Sequence, residues 1–380
     1  MKYIKFPKLG IKTSRFGMGC MRLPKKIDNS GNEIIDEKES IRMIRHAVNN
    51  GINYFDTAFA YGDSEEILGK ALSGGLRGKV LIATKSPIFS KKINNIEDFR
   101  EILNEELKKL QTEYTDFYLL HNLNKETWRK TKKLGLLDEL QKAKRENKIK
   151  YAGFSFHDDI DLFKEIIDSH KWDMCQIQLN FLGEEYQAGV EGLKYAASKG
   201  IGVVIMEPLL GGLLTESIPV EIIDTWKSSG FERTPAEWAF RWVADFPEAI
   251  VILSGVSTME QLKENIEIFE HAIPGSLNEK EVQTYKKVKK IYDSKLKVGC
   301  TGCSYCLPCP SGVYIPGIFT QYNNAFIGGP EAVREGYKSF CTSKMDASQC
   351  SECGQCEDAC PQHIPIIENL KEAHEHLVKD

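Results

Sequence analysis

The sequence predicts an α/β protein, a (β/α)8 TIM barrel followed by a small, mainly helical, cysteine-rich domain. Three observations predict it. Eight short β-rich runs alternate with longer amphipathic segments, the order that builds a parallel sheet covered by helices. The runs are apolar over most of their length, as strands buried on both faces must be. Eight of the eleven cysteines then fall into two tight groups beyond residue 299.

The expected strands are Arg15–Cys20, Asn53–Thr57, Val80–Lys85, Asp116–His121, Tyr151–Ser155, Met174–Asn180, Gly202–Glu207 and Ala249–Gly255. Between or after them lie candidate helices at Glu39–Asn50, Glu65–Leu72, Ile96–Leu110, Leu134–Glu146, Ile160–Ser169, Val190–Ser198, Pro235–Asp245 and Met259–Ala272. An open doubly wound sheet competes with this reading. It would place Gly-x-Gly-x-x-Gly directly after an early strand. Gly17-Met18-Gly19 lacks the third glycine and the helix behind it; its glycines permit close approach near the first strand. Pro274-Gly275 breaks the alternation, and Leu277–Leu296 reads as one more amphipathic helix. The stretch Gly312–Phe340 is too long for a hairpin and predicts helices, with a break at Gly328-Gly329-Pro330. The expected domains are residues 1–275, a connecting helix at 276–298 and the cysteine domain at 299–380.

The first cysteine group reads Cys300-x2-Cys303-x2-Cys306-x2-Cys309-Pro310, the second Cys350-x2-Cys353-x2-Cys356-x3-Cys360-Pro361. The second has the spacing and trailing proline of a bacterial iron–sulfur run, in which the fourth cysteine serves the other cluster. That logic gives Cys300, Cys303, Cys306 and Cys360 to one 4Fe-4S cube, and Cys350, Cys353, Cys356 and Cys309 to another. The last gap of the first group is one residue short, which leaves a single cube as an alternative. Zinc is another, since Cys-x2-Cys pairs also build structural zinc sites. Disulfides are a third. They suit a secreted chain, but Met1–Leu9 is short, charged and interrupted by Pro7, unlike a secretory leader. A reducing cytoplasmic setting is expected, with the thiols free for metal.

The formal net charge of −4 gives no reason to expect nucleic acid or an anionic membrane as partner. No apolar run approaches 18 residues, so no membrane span is expected.

Chemistry in such a barrel gathers at the C-terminal ends of the strands. Asp56 ends the second run, with Tyr61 in the loop behind it; Lys85 ends the third and His121 the fourth. A carbonyl that accepts hydride needs a proton on oxygen. A tyrosine can donate it when a lysine cation favours the phenolate. An aspartate can hold that lysine, and a histidine can orient the carbonyl oxygen. Taken singly, each residue also has an ordinary structural role: loop cap, packed tyrosine, strand-end cation, hydrogen-bonded core histidine. Together, at the ends of three successive strands, they point to catalysis.

The run Gly51-Ile-Asn-Tyr-Phe-Asp56-Thr-Ala-x-x-Tyr61-Gly62, with Lys85 and His121, resembles the signature of the aldo/keto reductase superfamily over roughly residues 1–272. The resemblance implies an NAD(P)-linked carbonyl/alcohol reaction. Tyr61 would be the general acid/base, Lys85 held by Asp56 would tune it, and His121 would orient the substrate. It also implies a hairpin within Met1–Thr13 closing the barrel bottom. Implied cofactor contacts are Gly19, Met21, Asp56, Ser155, Gln176, Met206, Pro208, Leu209, Ser257, Gln261, Glu264 and Asn265. Three positions depart from the family pattern. Met206 stands where an aromatic ring is common, and Phe156 where many relatives carry asparagine. Gln261 stands where arginine marks NADPH preference; glutamine lacks that charge, so NADH or dual use is expected. Loops Thr57–Ser64, Ser86–Asn95, Asn122–Lys133 with Trp128, and Glu207–Ser217 are expected to line the substrate pocket.

Cys300–Pro310 further resembles the linker signature of a subgroup with an appended ferredoxin-like iron–sulfur domain. That implies a small carbonyl or alcohol substrate and an electron-transfer protein as candidate partner. The alternatives are a carbonyl reductase with structural clusters, or a non-catalytic electron-transfer or regulatory module.

Overall fold

The computed structural model describes the chain except residues 29, 217, 329, 330, 379 and 380, with backbone alone for residues 327, 328, 331, 332, 334 and 335. A hairpin of β1 (Tyr3–Lys5) and β2 (Lys12–Ser14) comes first. It precedes β3 (Phe16–Gly19), the first strand of a closed parallel barrel. A second, exposed hairpin, β4 (Lys25–Ile27) and β5 (Glu33–Ile35), interrupts the alternation. The series continues with α1 (Glu37–Asn49), β6 (Tyr54–Asp56), α2 (Ser64–Ala71), β7 (Leu81–Ser86), α3 (Ile96–Lys109), β8 (Thr115–Leu123), α4 (Lys125–Leu134) and α5 (Leu136–Arg145). Next come β9 (Ile149–Phe156), α6 (Ile160–Ser169), β10 (Met174–Gln178), α7 (Gly189–Ser198), β11 (Gly202–Met206), α8 (Val220–Ser228), α9 (Pro235–Ala244), β12 (Ala249–Ser254) and α10 (Met259–His271). The barrel closes in the order β10-β11-β12-β3-β6-β7-β8-β9.

The barrel interior is packed rather than hollow. Tyr54, Ala83, Phe117, Leu119, Met174, Val204 and Val251 fill it, and Phe6 from the loop between β1 and β2 plugs its base. The Phe6 ring lies 5.0 Å from that of Phe117. A Cβ on Gly202 would sit 2.0 Å from the same ring, so only glycine fits there. Gly17 answers to the same crowding, since a Cβ would meet Val251 at 2.6 Å and Leu253 at 2.7 Å.

Two sequence readings need correction. The helix expected at Leu134–Glu146 is α5 and starts at Leu136, because Gly135, at φ 66°, ends α4 and starts α5. Asn122–Lys133 is not an open loop, because α4 begins at Lys125 with Asn124 as its capping box. The signal was hidden because α4 buries only Thr127, Trp128 and Thr131. Trp128 is not a pocket wall in such a loop. It is buried in the helical layer and donates its indole N–H to Glu165 of α6 at 2.7 Å.

The chain divides into two compact units, Met1–Pro208 with Phe240–Ser276, and Leu209–Ala239 with Leu277–Asp380. Residues 209–239, placed in the barrel segment from sequence, thus group with the C-terminal unit, and the limit falls within α9.

The second unit contains α8, α11 (Glu279–Lys295), α12 (Ile315–Gly328), α13 (Glu331–Thr342), α14 (Gln355–Asp358) and α15 (Ile366–Leu377). Trp226 of α8 stacks on Trp238 at 6.2 Å, and Tyr285 of α11 donates to the Trp238 carbonyl at 2.7 Å. Ile318, Phe319 and Tyr322 of α12 pack with Tyr337, Leu370 and Ala373, and six of the eight grouped cysteines pack against this core. The helical break expected at 328–330 includes Gly329 and Pro330, which lie outside the described residues.

Candidate active site

The ends of β6, β7 and β8 bring three side chains together, and a short loop delivers the fourth. Lys85 is 1% exposed. Its Nζ donates to Asp56 Oδ1 at 2.5 Å, to the Thr57 carbonyl at 2.8 Å and to Tyr61 Oη at 3.3 Å. Burying a cation requires paired, hydrogen-bonded surroundings, and these three oxygens supply them. Burial raises the Asp56 carboxyl above its ordinary range, opposed by Lys85 and Gln176.

The Tyr61 loop continues the sheet for two hydrogen bonds, Thr57 N–H to Ala83 O at 2.8 Å and Phe59 N–H to Lys85 O at 3.3 Å. It then turns through Gly62 at φ 59° and is tied back by Ser64 Oγ, which donates to the Cys20 carbonyl at 3.0 Å. The phenol is thereby held over the lysine, whose Nζ is 4.7 Å from the ring centroid. His121 stands edge-on to Tyr61 at 5.8 Å. Burial, then Lys85 and His157, hold its imidazole well below the ordinary range, so it is neutral at pH 7 and able to donate one N–H. Phe89, 41% exposed in loop 86–95, packs edge-on against His121 at 5.4 Å. Sequence pointed to that loop but not to this ring.

Of the remaining candidates, Ser155 and Gln176 stand opposite each other on β9 and β10, both buried. Gln176 Nε2 donates to Asp56 at 3.3 Å, while its Oε1 is buried without a partner. An orphaned buried acceptor is costly and fits the amide N–H of a carboxamide. Gly19 and Met21 flank the end of β3, Gly19 buried and Met21 half-buried. Met206 ends β11, half-buried, and Pro208 is buried behind it. Leu209 groups with the other compact unit.

Ser257 and Gln261 are exposed at the start of α10, Glu264 is half-buried and Asn265 buried. Ser257 Oγ donates to the Arg22 carbonyl at 2.9 Å, and Asn265 Nδ2 to Ser254 Oγ at 3.0 Å. Gln261 closes a capping box with Thr258, and its Oε1 accepts from the Ser257 N–H at 2.8 Å.

A buried acid pair lies behind the tetrad. Thr84, adjacent to Lys85 but facing the helices, is 2.5 Å from Glu65 Oε1 and 3.4 Å from Glu106 Oε1. Tyr118 donates to Glu106 Oε2 at 2.6 Å. Burial pushes Glu65 up to about 7 and Glu106 well above the usual carboxylate range. Sequence reasoning missed the pair. The signal was Glu106 standing on the apolar stripe of α3 with Phe99, Ile102 and Leu103.

In the second unit the cysteines form two sets drawn from both groups. Burial pushes Cys306 up to about 12, and the neighbouring Cys303, Cys300 and Cys360 add to the effect. Cys309, Cys350, Cys353 and Cys356 line one small cavity with Val313, Ile315, Ile367 and Leu370. No three His, Cys, Asp or Glu side chains among the described residues converge as a single ion requires. A cube is larger than one ion, and its thiolates stand farther apart. None of the eleven cysteines is in a disulfide.

Comparison with known proteins accords with this geometry. Residues 15–290 match the aldo/keto reductase family and residues 299–364 a 4Fe-4S dicluster domain. The chain belongs to the aldo/keto reductase family: it is an oxidoreductase with a 4Fe-4S domain toward its C-terminus. It is 28% identical over 320 residues to a probable aldo-keto reductase of Glycine max, covering 74% of this chain and 86% of that one. It is 28% identical over 286 residues to the L-galactose dehydrogenase of Arabidopsis thaliana, covering 68% and 84%. The holo form of an aldo-keto reductase from Bacillus halodurans shares the fold with a TM-score of 0.62 at 24% identity, covering 76% of this chain and 96% of that one.

Proposed function

We propose that the barrel catalyses NAD(P)-linked interconversion of a small carbonyl compound and its alcohol, with Tyr61 as general acid/base. The observation that carries this reading is the Lys85 ammonium bridging Asp56 and the Tyr61 hydroxyl. A bound nicotinamide supplies or takes up the hydride. The chain's own residues manage the proton and the oxygen. Tyr61 donates its phenolic proton to the developing alkoxide, and the Lys85 cation stabilises the phenolate left behind. Asp56 keeps Lys85 in place. Neutral His121 donates a hydrogen bond to the carbonyl oxygen, and the Phe89 ring against it gives the pocket an apolar side.

Ser155 and Gln176 would hold the carboxamide. Gly19, Met21, Met206 and Pro208 would surround the ring and its ribose, and Ser257, Gln261, Glu264 and Asn265 the adenosine end. Gln261 brings no cation to a 2′-phosphate, which favours NADH or dual use.

The cysteines would hold two 4Fe-4S cubes with crossed ligand sets, Cys300, Cys303, Cys306 and Cys360 for one, Cys309, Cys350, Cys353 and Cys356 for the other. Such clusters pass electrons singly, so exchange with an electron-transfer protein is the role proposed for them. A reducing, cytoplasmic setting suits eight thiolate ligands. No helix among the described residues is long and apolar enough to cross a membrane.

The test is Tyr61→Phe, assayed with a panel of aliphatic and aromatic aldehydes against NADH and NADPH. We expect kcat/KM to fall by about 10²-fold or more, the usual weight of a general acid, with dinucleotide affinity within about twofold. Unchanged turnover would remove Tyr61 from the mechanism.

A further inference from the structure

Asn122 follows His121 at an irregularity in the β8–β9 register between Leu120 and Leu123. Its backbone is left-handed, φ 59°, a conformation asparagine tolerates better than most residues. Both backbone polar groups are engaged, the N–H with Ser155 Oγ at 2.8 Å and the carbonyl with Thr127 Oγ1 at 2.8 Å. The residue is only 5% exposed, yet its side-chain Oδ1 is buried without a partner. Ser155 is thus joined to the Asn122 backbone on one neighbouring strand and stands in register with Gln176 on the other, and both of those neighbours carry a buried amide oxygen without a hydrogen-bond partner. Ser155 accepts from Asn122 and keeps its own proton to give away. Phe156, the next residue on β9, is buried and offers no hydrogen bond.

Two acceptors and one donor are the complement of a primary carboxamide, which has two N–H donors and one carbonyl oxygen. We infer that Asn122 is a nicotinamide-binding residue. Its Oδ1 takes one carboxamide N–H, Gln176 Oε1 takes the other, and Ser155 donates to the carboxamide oxygen. The inference rests on the NAD(P)-linked reading above and adds Asn122 to it. Because Asn122 is joined to His121 through the chain, the same backbone kink sets both the ring and the substrate oxygen.

The test uses the full chain with its clusters and reads binding by fluorescence titration. The probes are NADH and its 3-acetylpyridine analogue, which keeps the carbonyl oxygen but has methyl in place of NH2. Asn122→Gly removes the amide without straining the left-handed backbone. The wild type should prefer NADH by about tenfold or more, as expected for lost hydrogen bonds. Asn122→Gly should weaken NADH by about tenfold, leave the analogue nearly unchanged, and so erase most of the preference. Ser155→Ala should weaken both probes. Full preference retained in Asn122→Gly overturns the inference, even with a raised KM for aldehyde, because Asn122 would then serve the substrate side. Equal weakening of both probes also overturns it, since that is a structural effect. A wild type that binds neither NADH nor NADPH defeats the underlying cofactor reading instead.

Discussion

Lys85 and Asp56 are each nearly inaccessible to solvent, so neither tolerates loss of the other. Breaking a buried ion pair by removing one partner leaves an uncompensated charge and costs about 3–5 kcal/mol. Lys85→Met is expected to lower unfolding stability by that order and to abolish turnover. Adding Asp56→Asn should recover much of the stability and none of the activity, read by denaturant unfolding alongside aldehyde reduction. Full stability in the single variant would contradict the pairing. His121 gives a second expectation. Its folded-state value lies well below the unfolded one because of burial, Lys85 and His157, so the ring is neutral at pH 7. The profile of kcat/KM should show no limb near pH 6.5 belonging to His121. A limb there that disappears in His121→Asn would contradict a neutral donor. The grouping of Asp56, Lys85 and His121 with Tyr61 was legible because three of these chemically matched residues fall at strand ends and the fourth in the loop just behind one of them. Phe89 and Asn122 were not, because their placement depends on how one loop folds and where one strand bulges.

Between elements, the Glu65–Glu106 pair couples α2 and α3 to β7 through Thr84. With its carboxyl raised from 4.5 to about 7, Glu65 binds more protons folded than unfolded between those values. Stability from this group is thus fully present below the unfolded value and is lost as pH rises through the folded one. At about 1.4 kcal/mol per unit, the loss between pH 5 and 8 is about 3 kcal/mol. Glu65→Gln keeps the hydrogen bond to Thr84 and removes the titration. It should flatten the decline, measured by urea unfolding at pH 5.5, 7 and 8.5. Parallel curves for variant and wild type would show that Glu65 takes up no extra proton in the folded state. The eight strand cores were readable from apolar runs bounded by polar turns, and α6 was placed to the residue. Helix α4 was not, because only three of its residues are buried. Hairpin β4–β5 was not either, because its strands are mostly exposed and leave no alternation to read.

At the scale of the molecule, one chain joins a barrel suited to hydride chemistry to a module suited to one-electron centres. The barrel and cysteine regions were visible in sequence through period and spacing, signals local to the chain. The grouping of residues 209–239 with the C-terminal unit was not, because it depends on contacts such as the Arg233–Glu281 ion pair and the Trp226–Trp238 stack. The crossed ligand sets proposed above predict an asymmetry under mutation. Cys360→Ser should perturb the cube held by Cys300, Cys303 and Cys306 more than the one beside it in sequence. The central claim, that this reductase chain carries two cubes, is tested by purifying the full chain without oxygen. Iron and sulfide are then measured, with EPR spectra recorded during stepwise reduction. The expected result is about eight iron and eight sulfide per chain with magnetically coupled signals, as two cubes in one small domain, each held by four thiolates, require. About four of each, or zinc in place of iron, would contradict it.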